Sequence, residues 1–262
     1  MARGPEQAEE EDSNTGGTPV PRNMALIQLN NITRVYTLGE VELTVLRGIT
    51  LSIDRGEMVA LVGQSGSGKT TLMNTLGFLD HPTAGQYLLD GEDVTSISAD
   101  RRAEIRSRMI GFVFQSFNLL PRTTALEQVM MPLAYAPRPM GDPEGRKWAE
   151  ALLDRVGLGD RMHHFPTQLS GGQQQRVAIA RSLVNKPSVL FADEPTGNLD
   201  SHTSVEILEM FRTLNRKEGI TIIIVTHSSE ISRMADRTIK LKDGLVESDS
   251  KATDPAPSGA AK

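Results

Sequence analysis

The apolar positions of this chain recur with two different spacings. Between residues 24 and 53 they alternate with polar residues in two runs, which predicts two or three antiparallel strands. Four later runs are almost continuously apolar, at about 58–62, 110–114, 189–192 and 221–226. Such runs are typical of strands that are buried on both faces of a parallel sheet. The pattern therefore predicts an α/β fold in which an antiparallel β region accompanies a parallel core.

Stretches with apolar residues at helical spacing separate these runs. The predicted helices follow Gly68 directly and then cover about 99–108, 125–131, 143–156, 171–183 and 200–214, and a hairpin is predicted at 86–94. The polar, helix-rich stretch from about 118 to 166 separates two parts of the core, and we interpret it as an inserted α-helical subdomain. The main domain is expected to span 24–247. Residues 1–23 and 248–262 are polar and rich in Gly, Pro or small residues, and we expect both tails to be disordered.

Composition limits the classes of function. The net charge is −5 among 262 residues, which argues against a nucleic-acid-binding face, because such a face normally carries a basic patch. The absence of cysteine excludes disulfides, thiolate metal sites and a cysteine nucleophile. The longest apolar runs fall far short of the ~20 residues that a membrane-spanning helix needs, and no signal-peptide pattern precedes them. We expect no direct membrane insertion, so any membrane association would need a partner.

A phosphate-binding motif joins the first continuous apolar run to a helix. The spacing from Gly63 to Thr70 is that of a complete G-x-x-x-x-G-K-[ST] motif, in which successive backbone N–H groups point at one anion. Lys69 is expected to reach the β- and γ-phosphates, and the Thr70 hydroxyl is expected to coordinate Mg²⁺. The candidate nucleotide-binding residues here are Gly63, Gln64, Ser65, Gly66, Ser67, Gly68, Lys69, Thr70 and Thr71.

Two further segments carry candidate chemistry. Asp193 and Glu194 end an apolar strand, at the sheet edge where open α/β sheets bind ligands. Adjacent strand residues point in opposite directions, so we expect Asp193 to bind Mg²⁺ and Glu194 to face the attacking water. The run Ser170-Gly171-Gly172-Gln173 opens a helix and offers a second anion site, although Ser and Gly are also ordinary N-cap residues.

Three single residues remain open to two interpretations when they are taken alone. Tyr36 is either a stacking surface for an adenine ring or a half-exposed aromatic on a strand. Gln115 is either a functional group or an ordinary polar residue at a strand end. His227 also ends a strand, but its place beside the same sheet edge as Asp193 favours a catalytic role.

Together these segments resemble the nucleotide-binding domain of ATP-binding cassette (ABC) proteins. The most specific element is Leu169-Ser170-Gly171-Gly172-Gln173, which is similar to the signature of ABC ATPases and lies between the P-loop and Asp193 in the expected order. The resemblance implies a P-loop NTPase core with a parallel sheet, an antiparallel β subdomain and an inserted α-helical subdomain.

The resemblance also implies roles for individual residues. Tyr36 would stack on adenine, while Lys69, Gln115, Glu194 and His227 would be the catalytic residues. Thr70, Gln115 and Asp193 would bind Mg²⁺, and Ser170, Gly171, Gly172, Gln173 and Asp200 would contact nucleotide. The implied mechanism is a head-to-tail homodimer enclosing two MgATP, in which the signature of one protomer binds the γ-phosphate held by the other.

The segments 112–121 and 192–200 are similar to the cassettes of lipoprotein-releasing and macrolide-exporting transporters. This similarity implies an ATPase subunit on the cytoplasmic face of the membrane, held there by an integral membrane permease. A cassette that regulates cell division or cell-wall synthesis is an alternative, and a soluble, non-transport ABC protein is a second. Ser228 follows His227 where an aspartate is usual, which leaves the expected chemistry unchanged.

The segment 114–122 connects Gln115 to the predicted helical subdomain, which favours it as the place where a permease helix docks. Phe117, Leu119 and Leu120 are apolar in a polar neighbourhood and are expected to form an exposed patch. The alternative is that these three side chains pack inside the helical subdomain.

Overall fold

The computed structural model describes residues 25–136 and 142–251. The strands are β1 (Ile27–Leu38), β2 (Val41–Ile53), β3 (Met58–Val62), β4 (Ala84–Leu89), β5 (Glu92–Asp93), β6 (Ile110–Phe114), β7 (Val189–Asp193), β8 (Thr221–Val225), β9 (Arg237–Lys242) and β10 (Leu245–Lys251). The α-helices are α1 (Lys69–Leu76), α2 (Ala99–Met109), α3 (Ala125–Met130), α4 (Asp142–Arg155), α5 (Gly171–Leu183), α6 (Ser201–Glu218) and α7 (Ser229–Met234). Short 3₁₀ turns lie at Met131–Tyr135, Gly159–Arg161 and Pro166–Gln168.

The strands form two sheets. A four-stranded antiparallel sheet has the order β2-β1-β4-β5, and a six-stranded sheet has the order β10-β9-β3-β8-β7-β6. In the larger sheet β9, β3, β8, β7 and β6 are parallel, and β10 pairs antiparallel at one edge. The carboxyl ends of β3, β7 and β8 therefore meet at one edge of the sheet, where the loops with the candidate residues begin.

The parallel strands are buried on both faces, as their continuous apolar sequences predict. Met58 and Ala60 of β3 pack into a core shared with α3 to α6, whereas Val59 and Leu61 point into a second core shared with α1 and the antiparallel sheet. This alternation follows from the two-residue period of a strand. The observed architecture confirms the predicted α/β fold with a parallel core and an antiparallel β region.

Helices α3, α5 and α6 begin at side-chain caps. Thr124 and Glu127 form a reciprocal capping box at α3, and Ser170 and Gln173 form another at α5. Asp200 caps α6 by accepting a hydrogen bond from the Thr203 amide. These local signals fix where each helix begins and thus where the preceding loop must end.

Helices α3 and α4 lie in the segment interpreted as a helical subdomain, between β6 and α5. They pack on α5, and their apolar residues belong to the same core as one face of the parallel sheet. Trp148 of α4 donates a hydrogen bond from Nε1 to the carbonyl of Val184, just after α5. The helical segment thus contacts the parallel sheet through α5.

Two strands at the end of the chain differ from the expectations. β9 and β10 were not predicted, and because β10 continues to Lys251, the predicted start of the tail at residue 248 is wrong. The N-terminal tail and residues 252–262 lie outside the described residues. Within residues 25–136 and 142–251, no helix has the length and apolar character required to cross a membrane.

Candidate functional site

The G-x-x-x-x-G-K-[ST] segment forms a tight loop between β3 and α1. Gly63 has φ 152° and Gly68 has φ 100°, both positive, and Gly68 is the N-cap of α1. A side chain at Gly63 would collide with the backbone oxygen of Leu241 and the hydroxyl of Ser67. Glycine is therefore required for β9 to pack against this loop. The loop presents the N-terminus of a helix, which is the usual geometry of an anion site.

The side chain of Lys69 folds back across the loop. Its Nζ donates hydrogen bonds of 2.9 Å to the carbonyls of Gly63 and Gln64. The ammonium group is thereby held over the curve of the loop, where a triphosphate would bind.

A cleft of about 570 Å³ opens at this loop. Its lining comes from the loop, the start of α1, β2 and the turn between β9 and β10: Leu43, Thr44, Val45, Arg47, Ser65, Gly66, Gly68, Lys69, Thr70, Thr71 and Asp243. Six of the lining residues are thus among the nine predicted from the phosphate motif. The contribution of β2 was not predicted, because it depends on how the antiparallel sheet packs on the P-loop.

Asp193 ends β7 beside the charge of Lys69. Burial, together with the neighbouring carboxylate of Glu194, raises the pKa of the Asp193 carboxyl, and the positive charge of Lys69 opposes this increase. A second cation next to Asp193 would favour the ionised form further, as a metal ion does at a buried carboxylate.

Glu194 lies in a small network at the end of β8. Its backbone has φ 44°, and its amide donates to the carbonyl of Val225. The carboxylate accepts hydrogen bonds from Thr226 Oγ1 at 3.2 Å, from the His227 amide at 3.1 Å and from His227 Nδ1 at 2.7 Å. The contact with Nδ1 is the shortest of the three, so the imidazole ring is held directly against the carboxylate. The structure brings Glu194 and His227 together, as expected from their positions at neighbouring strand ends.

Gln115 follows β6 and is bound to a residue that the sequence did not single out. Its Nε2 donates to Asn198 Oδ1 at 3.4 Å, and Asn198 Nδ2 donates to the Gln115 carbonyl at 3.0 Å. Gln115 thus reaches the loop between Asp193 and Asp200. No sequence signal predicts this pair, because the two residues lie 83 positions apart.

The Ser-Gly-Gly segment and Asp200 lie together, away from the lining of the phosphate cleft. The Ser170 hydroxyl accepts from the Gln173 amide at 3.3 Å, so it serves as an N-cap in the single chain. A side chain at Gly172 would collide with Thr203, which lies three residues after Asp200 in the first turn of α6. The hydrogen bonds from Thr203 to the Asp200 carboxylate hold the pKa of that carboxyl below its usual range.

Tyr36 lies on β1, directly across from Leu43 of β2 in the strand register. Its hydroxyl donates a hydrogen bond of 2.6 Å to Asp80 Oδ2. Leu43 lines the cleft, so Tyr36 stands next to the cleft rather than in its immediate lining.

The donors near the phosphate loop fit a magnesium ion. In the part of the chain that the structure describes, no group of three or more His, Cys, Asp or Glu side chains could form a metal cage. Mg²⁺ usually binds nucleotides through one or two protein oxygens together with phosphates and water. The hydroxyl of Thr70, which lines the cleft, and the carboxylate of Asp193, beside Lys69, are oxygen donors of this kind.

Comparison with known proteins agrees with this geometry. The family model described as ABC transporter matches residues 46–197. The chain is 57% identical over 234 residues to the macrolide export ATP-binding/permease protein MacB of Syntrophobacter fumaroxidans, covering 89% of this chain and 33% of the relative. The chain thus spans about a third of the length of the MacB relatives it matches.

Other relatives match over nearly their whole length. An uncharacterized ABC transporter ATP-binding protein of Thermotoga maritima is 50% identical over 222 residues, which cover 85% of this chain and 94% of that protein. Among solved structures, the dimeric ATP-binding cassette MJ0796 in a post-hydrolysis state with ADP and Pi superposes with a TM-score of 0.79 at 44% identity. That match covers 86% of this chain and 98% of the solved one.

Proposed function

The chain belongs to the ABC transporter family and carries its ATPase domain, and from this premise we propose how its residues bind and hydrolyse MgATP to drive a membrane permease. The observation that carries the proposal is the contact between Glu194 and His227 at the sheet edge that also presents Asp193 and Lys69. A base, a proton-bearing imidazole, a metal-binding carboxylate and a phosphate-binding ammonium are the groups that phosphoryl transfer to water requires.

Each group has a distinct task in this proposal. Lys69 and the P-loop amides bind the β- and γ-phosphates. The carboxylate of Glu194 accepts a proton from the attacking water, while Thr226 and His227 hold that carboxylate in place. Thr70, Asp193 and Gln115 would hold Mg²⁺, which would supply positive charge to offset that of the phosphate oxygens. Gln115 would connect this site to the loop of Asp200 through Asn198.

We propose that the complete site needs two copies of the chain. The signature residues from Ser170 to Gln173 and Asp200 lie beside each other but do not line the phosphate cleft of their own chain. A second protomer in head-to-tail orientation would bring them onto the γ-phosphate. The dimeric state of the similar solved cassette supports this arrangement.

The permease is proposed to be a separate chain at the membrane, with this chain on its cytoplasmic face. The match over 94% of the Thermotoga ATP-binding protein supports a separate chain, and the MacB relatives carry a permease in their name. The name of the MacB relatives supports export as the output, and lipoprotein release or mechanical work outside the membrane stay expectations from the sequence.

A groove between the parallel sheet and the helical segment is the proposed docking place for the permease. It has a volume of about 750 Å³, and its apolar rim includes Leu79, 47% exposed, and Tyr135, 77% exposed. Arg181 lines the groove and donates to the carbonyls of Phe117 and Asn118. Among the described residues it forms no salt bridge, and burial lowers the pKa of its guanidinium. An apolar permease helix with one carboxylate would complement this groove.

Substituting Glu194 tests the chemistry. We expect Glu194→Gln to bind MgATP normally but to hydrolyse it at least ~10²-fold more slowly, because the general base is lost. The matched control is Glu230→Gln, an exposed carboxylate on α7 that does not contact Glu194. Phosphate release and equilibrium nucleotide binding are measured for both. Near-wild-type turnover of Glu194→Gln would assign the base elsewhere, with His227 as the first candidate.

A further inference from the structure

Three side chains beside the cleft form a compact cluster that the proposed chemistry does not use. Arg34 binds both carboxylate oxygens of Asp80, with Nε 2.9 Å from Oδ2 and Nη2 2.7 Å from Oδ1. The hydroxyl of Tyr36 donates to the same carboxylate at 2.6 Å. The Arg34 guanidinium also lies over the Tyr36 ring, with Cζ 4.4 Å from the ring centroid. We name Arg34, Tyr36 and Asp80 the tyrosine clamp.

The clamp is rigid for physical reasons. The side chains of Arg34 and Asp80 are only 13% and 17% exposed, so their two-point ion pair is screened less than a surface pair. Asp80 is itself fixed by the His81 amide, which donates to Oδ1 at 2.8 Å. With its hydroxyl held at one end and a guanidinium on one face, the Tyr36 ring has a defined orientation.

The free surface of the ring is positioned to continue the phosphate cleft. Tyr36 and Leu43 are cross-strand partners, and side chains of directly opposed residues lie on the same face of a sheet. Leu43 lines the cleft and is 51% exposed. Arg34 covers one face of the half-exposed ring, so a planar ligand could stack only on the other face.

We propose that Arg34 and Asp80 are positioning residues, which hold the Tyr36 ring as a preformed platform for the adenine base of the nucleotide. This inference rests on the proposed function, because it assumes that the chain binds MgATP and that Tyr36 stacks on adenine, as the family resemblance implies. Fixing the ring before binding reduces the entropy that the complex would otherwise lose. The clamp therefore acts on affinity for the base and not on binding of the triphosphate.

Comparing two ligands separates these effects. Affinities of the full-length chain for MgATP and for magnesium tripolyphosphate, which lacks the base, are measured by titration calorimetry. The variants are Tyr36→Phe, which removes only the hydroxyl, Asp80→Asn, and Tyr36→Ala, which removes the platform. Asp249→Asn is the matched control, because Asp249 forms a similar two-point pair with Arg237 far from the cleft.

We expect Tyr36→Phe and Asp80→Asn each to weaken MgATP binding ~3- to 10-fold, the range for loss of one well-positioned aromatic contact. Both variants should leave the affinity for tripolyphosphate unchanged, and Asp249→Asn should change the affinity for neither ligand. Asp80→Asn should have a smaller effect in the Tyr36→Phe background than alone, since both weaken the same contact between the Tyr36 hydroxyl and residue 80. If Asp80→Asn does not fold, Tyr36→Phe carries the test, because it leaves the ion pair intact.

Three results would overturn the inference. Unchanged MgATP affinity in Tyr36→Phe and Asp80→Asn, with a loss in Tyr36→Ala, would reject the clamp and keep the adenine platform. Unchanged affinity in Tyr36→Ala would reject the platform itself and the clamp with it. Equal weakening of MgATP and tripolyphosphate would show that the clamp only supports the fold.

Discussion

At the residue scale, the P-loop contains one polar group whose role is not evident from its motif. Ser67 is 4% exposed, and its hydroxyl has no hydrogen-bond partner among the described residues. Its backbone is well bonded, since the amide donates to Gln64 and the carbonyl accepts from Gly244. A buried hydroxyl without a partner costs about 1–3 kcal/mol relative to a bonded one. The backbone of Ser67 therefore matters more than its side chain.

We predict that Ser67→Ala keeps or slightly raises the thermal midpoint and retains ATP hydrolysis. Gly63→Ala provides the contrast, because its added Cβ would collide with the Leu241 carbonyl oxygen and displace the loop from β9. Differential scanning fluorimetry and phosphate release on the two variants provide the measurement. A large loss of activity in Ser67→Ala would show that the hydroxyl contacts the nucleotide.

The surroundings of Asp80 predict a pH-dependent stability. Burial by itself raises the pKa of this carboxyl, but hydrogen bonds from Tyr36 and His81 and the charge of Arg34 bring the pKa below its ordinary value. The carboxyl therefore takes up a proton at a higher pH in the unfolded chain than in the folded one. Its full contribution to the free energy of unfolding is present above about pH 4, and this contribution is lost as the pH falls through the folded-state pKa.

The difference in thermal midpoint between the wild type and Asp80→Asn should thus be constant from about pH 7 to about pH 5 and shrink below about pH 4. Thermal unfolding followed by circular dichroism across this range measures it. A difference that persists unchanged at about pH 3 would contradict the lowered pKa.

The roles of residues could be predicted from the sequence where the residues form one continuous motif. They could not be predicted where the partners meet only in the folded chain. Gly63 to Thr71 form one continuous motif, and six of these nine residues line one cleft in the structure. The partner of Gln115 could not be predicted, because Asn198 reaches it only after β6 and β7 pair side by side. Asp80 likewise meets Tyr36 through packing of the chain after α1 against β1, and the two residues lie 44 positions apart.

At the element scale, the segment that follows β6 differs from the patch expected there. Leu119 packs against the main core, Phe117 is half-buried and only Leu120, 50% exposed, matches the expectation. Phe117 and Asn118 have positive φ, and Arg181 of α5 accommodates this bend by binding both carbonyls. The exposed apolar surface lies instead on the neighbouring groove, at Leu79 and Tyr135.

We predict that the combined substitutions Leu79→Ser and Tyr135→Ser abolish co-purification of the chain with its permease and leave ATP binding unchanged. The control, Val205→Ser with Leu245→Ser, removes two apolar side chains of similar exposure, 50% and 46%, outside the groove. Affinity purification from membranes with both variants is the measurement. Retained permease in the groove variant would exclude this surface as the docking place.

The strands β9 and β10 show why hydrophobic periodicity does not predict every strand. Buried and more exposed residues alternate along β9, as in a half-buried strand. The first buried residue is the charged Arg237, so the sequence does not show a regular alternation of apolar and polar residues. In the structure Arg237 is 9% exposed and bonds to Glu57 and Asp249, so the buried charge is paired. β10 is mostly exposed, and its polar sequence resembles that of a tail. The pair between Arg237 and Glu57 joins residues 180 positions apart, so no local sequence signal predicts it.

At the scale of the whole molecule, the proposed dimer predicts that one chain carries the halves of two different sites. The phosphate cleft contains Lys69 and Thr70, whereas Ser170 caps α5 elsewhere on the surface. A two-fold symmetric dimer would create two equal composite sites, each with a P-loop from one copy and a signature from the other. This geometry can be distinguished from a site within one chain by mixing defective proteins.

The last prediction is that Lys69→Ala and Ser170→Arg proteins, each inactive alone, regain ATPase activity when they are mixed. In a heterodimer one composite site carries both substitutions, and the other combines an intact P-loop with an intact signature. Random pairing makes half the dimers hetero, each with one functional site of two, so about a quarter of wild-type activity is the ceiling. Phosphate release is measured at high protein concentration, or with the assembled transporter, so that dimers form. Strict coupling between the two sites would also suppress rescue, so wild-type protein mixed with Lys69→Ala is the control. If ATPase activity in this control falls only in proportion to the fraction of Lys69→Ala protein, the sites are not strictly coupled. The absence of rescue in the first mixture would then reject the shared site.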